Sequence, residues 1–458
     1  MSDAAPSIDR SGEAGDTSER HATAPRHQPA PLHPTVRAWL GDGAPKSSSA
    51  VEHLLASAET LARSMAHREA LGITRVADIT GLDTVAIPVV TAHRPNARSL
   101  SVAQGKGANL DDATASAVME AVETAHAERP EVALRLASAA ELRAAGERHV
   151  DPAALARHGP IRVGTCASIL WARGVSLVDG AAVDVPYDAV HLDLTTDIPT
   201  TGSLVLSSNG LASGSTRAEA VVHGLCELIE RDACRLWELA EPDHRSATRV
   251  DPATVTDPVC EDLLARVEHA DLDVAIHDLT SDLGIPVVLV QLADRRPNPF
   301  RPLAPAAGVG CHLHPATALR RAITEAAQTR LIDIAGLRDD LDPATYAAAA
   351  ERSGRTDAEV PVLEPLPQGA RSHGADGGLA TSTMAGDVAV LVRALRDAGL
   401  EPVVVDLTSE RFGIAVVRCV VAGLEGLPVM MAGVAATTGD RARAVLARAG
   451  HRSWEGSA

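Results

Sequence analysis

The stretch Ser207 to Trp237, SSNGLASGSTRAEAVVHGLCELIERDACRLW, joins a run of small residues to a helix, and its two halves set the reading of the whole chain. Thr216 and Glu219 stand in the S/T-x-x-E spacing of a capping box, in which a hydroxyl and a carboxylate satisfy the orphan amides of a first turn. Beyond them Val222, Leu225, Ile229, Ala233 and Leu236 recur at helical spacing, so a helix is predicted to begin near Arg217. On a helical wheel His223, Glu227, Glu230, Arg231 and Cys234 fall on the opposite face. Two carboxylates and a guanidinium therefore share one patch. An isolated E-x-x-E reads most simply as a solvated helix face.

Recurrence changes that reading. Val118-x-Glu120-x-x-Glu123, Leu225-x-Glu227-x-x-Glu230 and Ile323-x-Glu325-x-x-Gln328 repeat one pattern, each with an alanine seven residues before its first glutamate: Ala113, Ala220 and Ala318. Each also follows glycines that read as loops, at Gly105 to Gly107, Asn209 to Gly214, and Gly308 to Gly310. Loop amides can wrap phosphate, and carboxylates can hold the magnesium that accompanies it. Gly105-Lys106-Gly107 lacks the spacing of a Walker A loop and its Ser or Thr after lysine, so its lysine gains meaning only from the glutamate helix that follows.

At 458 residues the chain suits one large domain or two ordinary ones. Apolar residues make up 45% but aromatics only 2%, which argues for small aliphatic residues packed between helices and strands and against a base-stacking platform. A net charge of −18 likewise argues against nucleic acid as a partner, since phosphate-backbone binding needs clustered Lys and Arg. The six cysteines contain no C-x-x-C pair, so neither a structural zinc site nor a thioredoxin-like motif is expected. The first thirty residues have no apolar h-region, and no apolar run approaches the length of a membrane helix. We expect a cytoplasmic protein with reduced thiols and no membrane partner.

Residues 1 to 45, rich in Ala, Pro, His and charge, read as a disordered tail, with 46 to 458 as the folded domain. Val51 to Ala70 reads as an amphipathic helix, and Arg75 to Arg94 as two strands. Leu272 to Val288, LDVAIHDLTSDLGIPVV, resembles Leu400 to Val417, LEPVVVDLTSERFGIAVV, so two hairpin-like units flank the third glutamate helix. Residues 353 to 382, rich in Gly, Ser and Pro, read as a candidate lid. The fold class is α+β, with mixed sheets packed on helices in repeated units.

With S-V-A-Q-G-K-G at 101 to 107, N-G-L-A-S-G-S-T at 209 to 216, E-L-I-E-R at 227 to 231 and R-A-I-T-E-A-A-Q at 321 to 328, the chain resembles the YcaO family over about residues 70 to 430. The resemblance implies an ATP-dependent enzyme that modifies backbone amides of ribosomally made peptides, with ATP and Mg2+ as cofactors and a homodimeric state. By that likeness Glu120, Glu123, Glu227 and Glu230 hold magnesium. Arg231 and Lys106 lie near phosphate as catalytic cations, and Ser101, Ser208, Asn209, Glu325 and Gln328 join the nucleotide site. The chain ends H-R-S-W-E-G-S-A, without the proline-rich tail of many azoline-forming members. The stretches G-I-T-R-V-A-D-I-T-G-L-D at 72 to 83 and G-x-R-D-D at 336 to 340 look more like members that work with a TfuA-type partner, which implies thioamide formation with a separate sulfur donor and a precursor peptide. Azoline formation and a non-catalytic peptide-binding scaffold are the alternatives. No residue reads as a covalent nucleophile: Cys234 shares the carboxylate face, where neighbouring glutamates raise a thiol pKa.

Overall fold

Gly105 lies so close to a helix that a Cβ there would stand 2.1 Å from Ala113 O and Ala117 N. That contact, repeated elsewhere, explains how the chain is assembled. The structure, a computed structural model, describes residues 31–41, 45–46, 52–156, 163–195, 201–296, 303–336, 363–374, 378–426 and 438–448. Residues 1–30 of the expected tail, most of G-x-R-D-D, much of the candidate lid and the last ten residues lie outside them.

The elements begin with α1 (Pro34–Leu40), α2 (Ser57–Met65), β1 (Arg75–Asp78), β2 (Val89–His93), β3 (Val102–Lys106) and α3 (Leu110–Glu128). There follow β4 (Leu134–Ser138), α4 (Ala139–Ala144), β5 (Ser168–Ser176), β6 (Ala182–Pro186), β7 (Leu211–Gly214) and α5 (Arg217–Leu239). Next come α6 (Pro242–Ser246), β8 (Arg249–Val250), α7 (Pro258–His269), β9 (Leu272–Asp278), β10 (Val287–Asp294), β11 (Ala306–Cys311) and α8 (Pro315–Ala335). The described chain closes with α9 (Met384–Asp397), β12 (Pro402–Asp406), β13 (Ala415–Val421) and α10 (Asp440–Arg448). Among the described residues the strands form three sheets, in the orders β1-β2-β3, β11-β10-β9-β8 and β4-β5-β12-β13-β7, with β6 also paired to β5. The named strand pairs are antiparallel.

One unit recurs in all three sheets: two strands joined by an Asp-x-Thr turn, a glycine-bearing third strand, and a helix laid on it. Asp78, Asp278 and Asp406 each accept through Oδ1 from the backbone N of Thr80, Thr280 and Thr408, at 2.9, 3.0 and 3.0 Å. The threonine hydroxyls then accept from Val89, Val287 and Val416 N at 3.1, 3.4 and 3.2 Å, which fixes the start of each second strand. The units are β1-β2-β3-α3, β9-β10-β11-α8 and β12-β13-β7-α5, the last assembled from segments far apart in sequence. The similarity of Leu272–Val288 to Leu400–Val417 is thus a structural one.

The glycines expected to form phosphate loops are largely strand residues. Gly105 lies in β3, Gly214 in β7, and Gly308 and Gly310 in β11. Their missing Cβ admits a helix backbone: on Gly308 it would meet Ala326 N at 2.1 Å, and on Gly310 Ala318 O at 2.1 Å. The alanines that recur before each glutamate pair belong to the same contact, and Ala113, Ala220 and Ala318 are fully buried. Close packing against helix backbone accounts for the glycines inside these strands, whereas Gly107 and Asn209–Gly210 lie outside them.

Two further expectations are corrected. The tail does not extend unbroken to residue 45, because α1 buries Val36 and Leu40 in the same core cluster as α5, an i,i+4 apolar pair hidden by its polar flanks. The helix expected over 51 to 70 is confined to Ser57–Met65, and Glu52 and His53 before it are committed to ion pairs instead.

Candidate active site

The helix α5 begins at Arg217, as its apolar spacing requires. Thr216 Oγ1 accepts from Glu219 N at 3.2 Å, while the Glu219 carboxylate turns to Ser215 N at 3.0 Å and so completes only half of a capping box. The face opposite its apolar stripe is not solvated: Glu230 is 4% exposed and Cys234 is fully buried. Burial also settles the cysteine, pushing its thiol far above the ordinary range.

Helices α3, α5 and α8, each held by its unit, bring their glutamates to one place. Glu120 accepts from Gln104 N at 3.2 Å, and Glu123 accepts through Oε1 from Ser213 N at 2.8 Å and Ser213 Oγ at 2.7 Å. Glu227 accepts from Gly210 N at 2.8 Å. Arg231 spans one turn, donating Nη1 to Glu230 at 2.7 Å and Nη2 to Glu227 at 3.4 Å. Lys106, at the end of β3, crosses to α8 and pairs with Glu325. Side chains of Glu227, Arg231, Lys106 and Glu325 keep 14 to 20% exposure, enough for a ligand to reach them.

Charge in this cluster is unbalanced. Burial pushes Glu120 up to about 7 and Glu123 up to about 8, with Glu227 adding to both. Glu230 likewise rises to about 7 through burial, against the opposing pull of Arg231. Burial would also raise Glu325, but Lys106 and Arg231 outweigh it and hold the carboxyl below its usual range. Arg231 is raised above its ordinary value: burial alone would lower it, and the carboxylates of Glu230, Glu227 and Glu325 prevail. The carboxylates thus exceed the cations within reach.

An oxygen-only donor set carrying surplus negative charge fits magnesium. Among the described residues no three His, Cys, Asp or Glu side chains converge closely enough to hold a metal ion by themselves. The fit is therefore to an ion that shares its coordination with phosphate oxygens, as magnesium commonly does. Stability should follow. Carboxyls raised in the folded chain contribute stability that is full below about 4.5 and is lost as pH rises through about 7 to 8. The ligand-free chain should lose melting temperature across that window, and magnesium with an ATP analogue should restore more of it at about pH 8 than at about pH 6. Melting curves at both pH values check this; ligand shifts of equal size would contradict it.

Other expected residues are placed less centrally. Asn209 is half-buried and Ser208 exposed in the turn before β7, with Asn209 Nδ2 donating to Gly426 O at 3.4 Å. Gln328 is half-buried on α8, close to one turn beyond Glu325. Ser101 stands at the far end of β3, about 16 Å of extended chain from Lys106, where its carbonyl accepts from Arg94 N at 2.7 Å. Sequence reasoning missed Arg418. Buried to 1% exposure, it donates Nη1 to Asn209 O at 2.8 Å and Nη2 to Ser207 O at 2.7 Å, and so shapes the turn whose Gly210 amide holds Glu227. A single arginine inside the apolar run AVVRCVV was the available signal.

A sequence profile described as "YcaO cyclodehydratase, ATP-ad Mg2+-binding" matches residues 104–425, well over half of the chain. The chain belongs to the YcaO family. An uncharacterized protein in the tfuA 3' region of Rhizobium leguminosarum bv. trifolii is 41% identical over 312 residues, covering 67% of this chain and 72% of that relative. An uncharacterized protein of Methanothermobacter thermautotrophicus is 36% identical over 364 residues, 78% of this chain and 90% of its own. Among solved structures, a heterocyclase in complex with substrate and cofactor aligns with a TM-score of 0.72 at 22% identity, covering 90% of this YcaO chain. The chain in turn spans 56% of that heterocyclase. YcaO from Methanopyrus kandleri, bound with AMPPCP and Mg2+, aligns with a TM-score of 0.60 at 24% identity, over 83% of this chain and 94% of its own. At these identities the structural likenesses establish the YcaO fold.

Proposed function

We propose that this chain activates peptide backbone amides by ATP-dependent O-phosphorylation, and that with a TfuA-type partner and a sulfur donor it converts C=O to C=S. The observation that carries the reading is the meeting of Glu120 and Glu123 of α3, Glu227, Glu230 and Arg231 of α5, and Lys106 at the end of β3, paired with Glu325 of α8. The amide oxygen attacks the γ-phosphorus of ATP and ADP leaves. Hydrosulfide then adds to the activated carbon, and phosphate departs with the former amide oxygen, so atoms and charge balance.

Glu120, Glu123, Glu227 and Glu230 would hold magnesium, whose positive charge would offset the negative charge on the transferred phosphoryl group. Arg231, anchored by two carboxylates, keeps a fixed guanidinium beside it, and Lys106 supplies a second cation; both stabilise equatorial phosphoryl charge without moving. Ser207–Gly210, shaped by Arg418, forms the edge of the nucleotide site. The tfuA 3' position of the Rhizobium relative supports the choice of partner.

The family description and the heterocyclase likeness support one other outcome, azoline formation, in which a Cys, Ser or Thr side chain of the peptide attacks instead of sulfide. Co-expression with a candidate precursor peptide and a TfuA-type protein, followed by intact-mass analysis, separates them. Exchange of oxygen for sulfur is expected, and loss of water would mean azoline. An unaltered peptide from cells in which the purified chain turns over ATP would overturn backbone-amide activation for that peptide.

A further inference from the structure

Polar groups beside the carboxylate cluster are ordered from outside the family-matched stretch. Glu52, ahead of α2, reaches α8, where Oε2 accepts from Arg320 Nη2 at 2.9 Å and Oε1 accepts from Arg321 Nη1. The next residue, His53, pairs Nδ1 with Glu219 Oε1 at 2.9 Å in the first turn of α5. Two consecutive residues thus tie together the opening turns of α5 and α8. Glu52 is held well below its ordinary range: burial would raise it, but Arg321, His53 and Arg320 prevail.

Arg321 spends its second amino group on α5, with Nη2 3.0 Å from His223 Nε2. A guanidinium has no acceptor and keeps its protons, so Nε2 must be the accepting nitrogen and the ring hydrogen must sit on Nδ1. The charge state agrees, because burial and then Arg321 push His223 down to about 3. His223 lies four residues before Glu227 and seven before Glu230, on the same face of α5. The hydrogen-bonding capacity left to its ring is a single donor, suited to an oxygen of a phosphoryl group or an activated amide.

We infer that Glu52 is a positioning residue for this site: acting through Arg321, it fixes His223 as the neutral Nδ1–H tautomer on the face of α5 that carries Glu227 and Glu230. The inference rests on that face being the phosphoryl-transfer site. Loss of the Glu52 carboxylate leaves Arg321 charged but free to turn toward the neighbouring glutamates, and His223 loses the contact that selects its tautomer.

The test uses the full chain labelled with 15N-histidine, the His223 signals being assigned by their disappearance in His223→Gln. Wild type should show a protonated Nδ1 and a bare Nε2, with no titration between about pH 6 and pH 8. Glu52→Gln should mix the tautomers and lower kcat for ATP turnover about 10- to 100-fold, with a smaller change in KM. Glu52→Asp should restore part of both, and it takes over the test if the glutamine variant does not fold. An Nε2–H tautomer in wild type, or Glu52 variants with unaltered tautomer and kcat, would overturn the inference. If wild type turns over no ATP, the functional reading fails, while the nitrogen spectra still decide the role of Glu52.

Discussion

Glu123→Gln is expected to cut ATP turnover by about 10^2- to 10^3-fold while leaving the chain as stable as wild type, or more stable, near pH 8. Both hydrogen bonds to Glu123, from Ser213 N and Ser213 Oγ, fall on Oε1, and a glutamine carbonyl can accept both. The volume hardly changes. What changes is charge: burial and the neighbouring Glu120 and Glu227 push this carboxyl up to about 8, so ionising it burdens the ligand-free fold and the amide removes that burden. Activity and stability therefore move in opposite directions, as they do where a site is held ready for a cation. Turnover assays and melting curves on the same preparation check this. Preserved turnover would make Glu123 a packing residue, and joint loss of turnover and fold would place its value in stability.

Gly105→Ala and Gly310→Ala should each destabilise the chain by about 3 kcal/mol or more, because the added methyl meets backbone rather than a side chain that can swing away. The contacts would be 2.1 Å to Ala113 O and Ala117 N for Gly105, and 2.1 Å to Ala318 O for Gly310. Strand and helix would have to separate, carrying Glu120 away from Gln104 and Glu325 away from Lys106. Gly81→Ala is the control: nothing lies within 4 Å of its Cβ position, and its effect should stay within about 0.5 kcal/mol. Urea denaturation of the three variants measures the difference.

Much of this was legible in the residues themselves. The start of α5 followed from its apolar spacing, and the recurrence of Glu120, Glu227 and Glu325 singled out three helices that do converge. Buried Ala113, Ala220 and Ala318 were visible as a repeat, but their purpose was not, since strand glycines and loop glycines look alike until a helix is seen lying on them. The third unit was concealed by chain order, because β7 and α5 precede the hairpin β12-β13 that completes their sheet. Its Asp-x-Thr turn has a counterpart at Asp78 that a search for D-L-T-S passes over, the middle residue there being Ile79. Arg418 and Glu52 act through partners more than 200 residues away: the lone arginine in AVVRCVV marks Arg418 as unusual, but local pattern does not name the partners of either residue.

The central claim, that acidic side chains of separate helices hold a magnesium-bound nucleotide, is tested most directly by calorimetric titration of a non-hydrolysable ATP analogue into the chain with and without magnesium. Saturable binding that requires magnesium, and that disappears in Glu227→Gln while the fold persists, is the predicted result. Binding of equal strength without magnesium, or unaffected by removing the Glu227 charge, would contradict it.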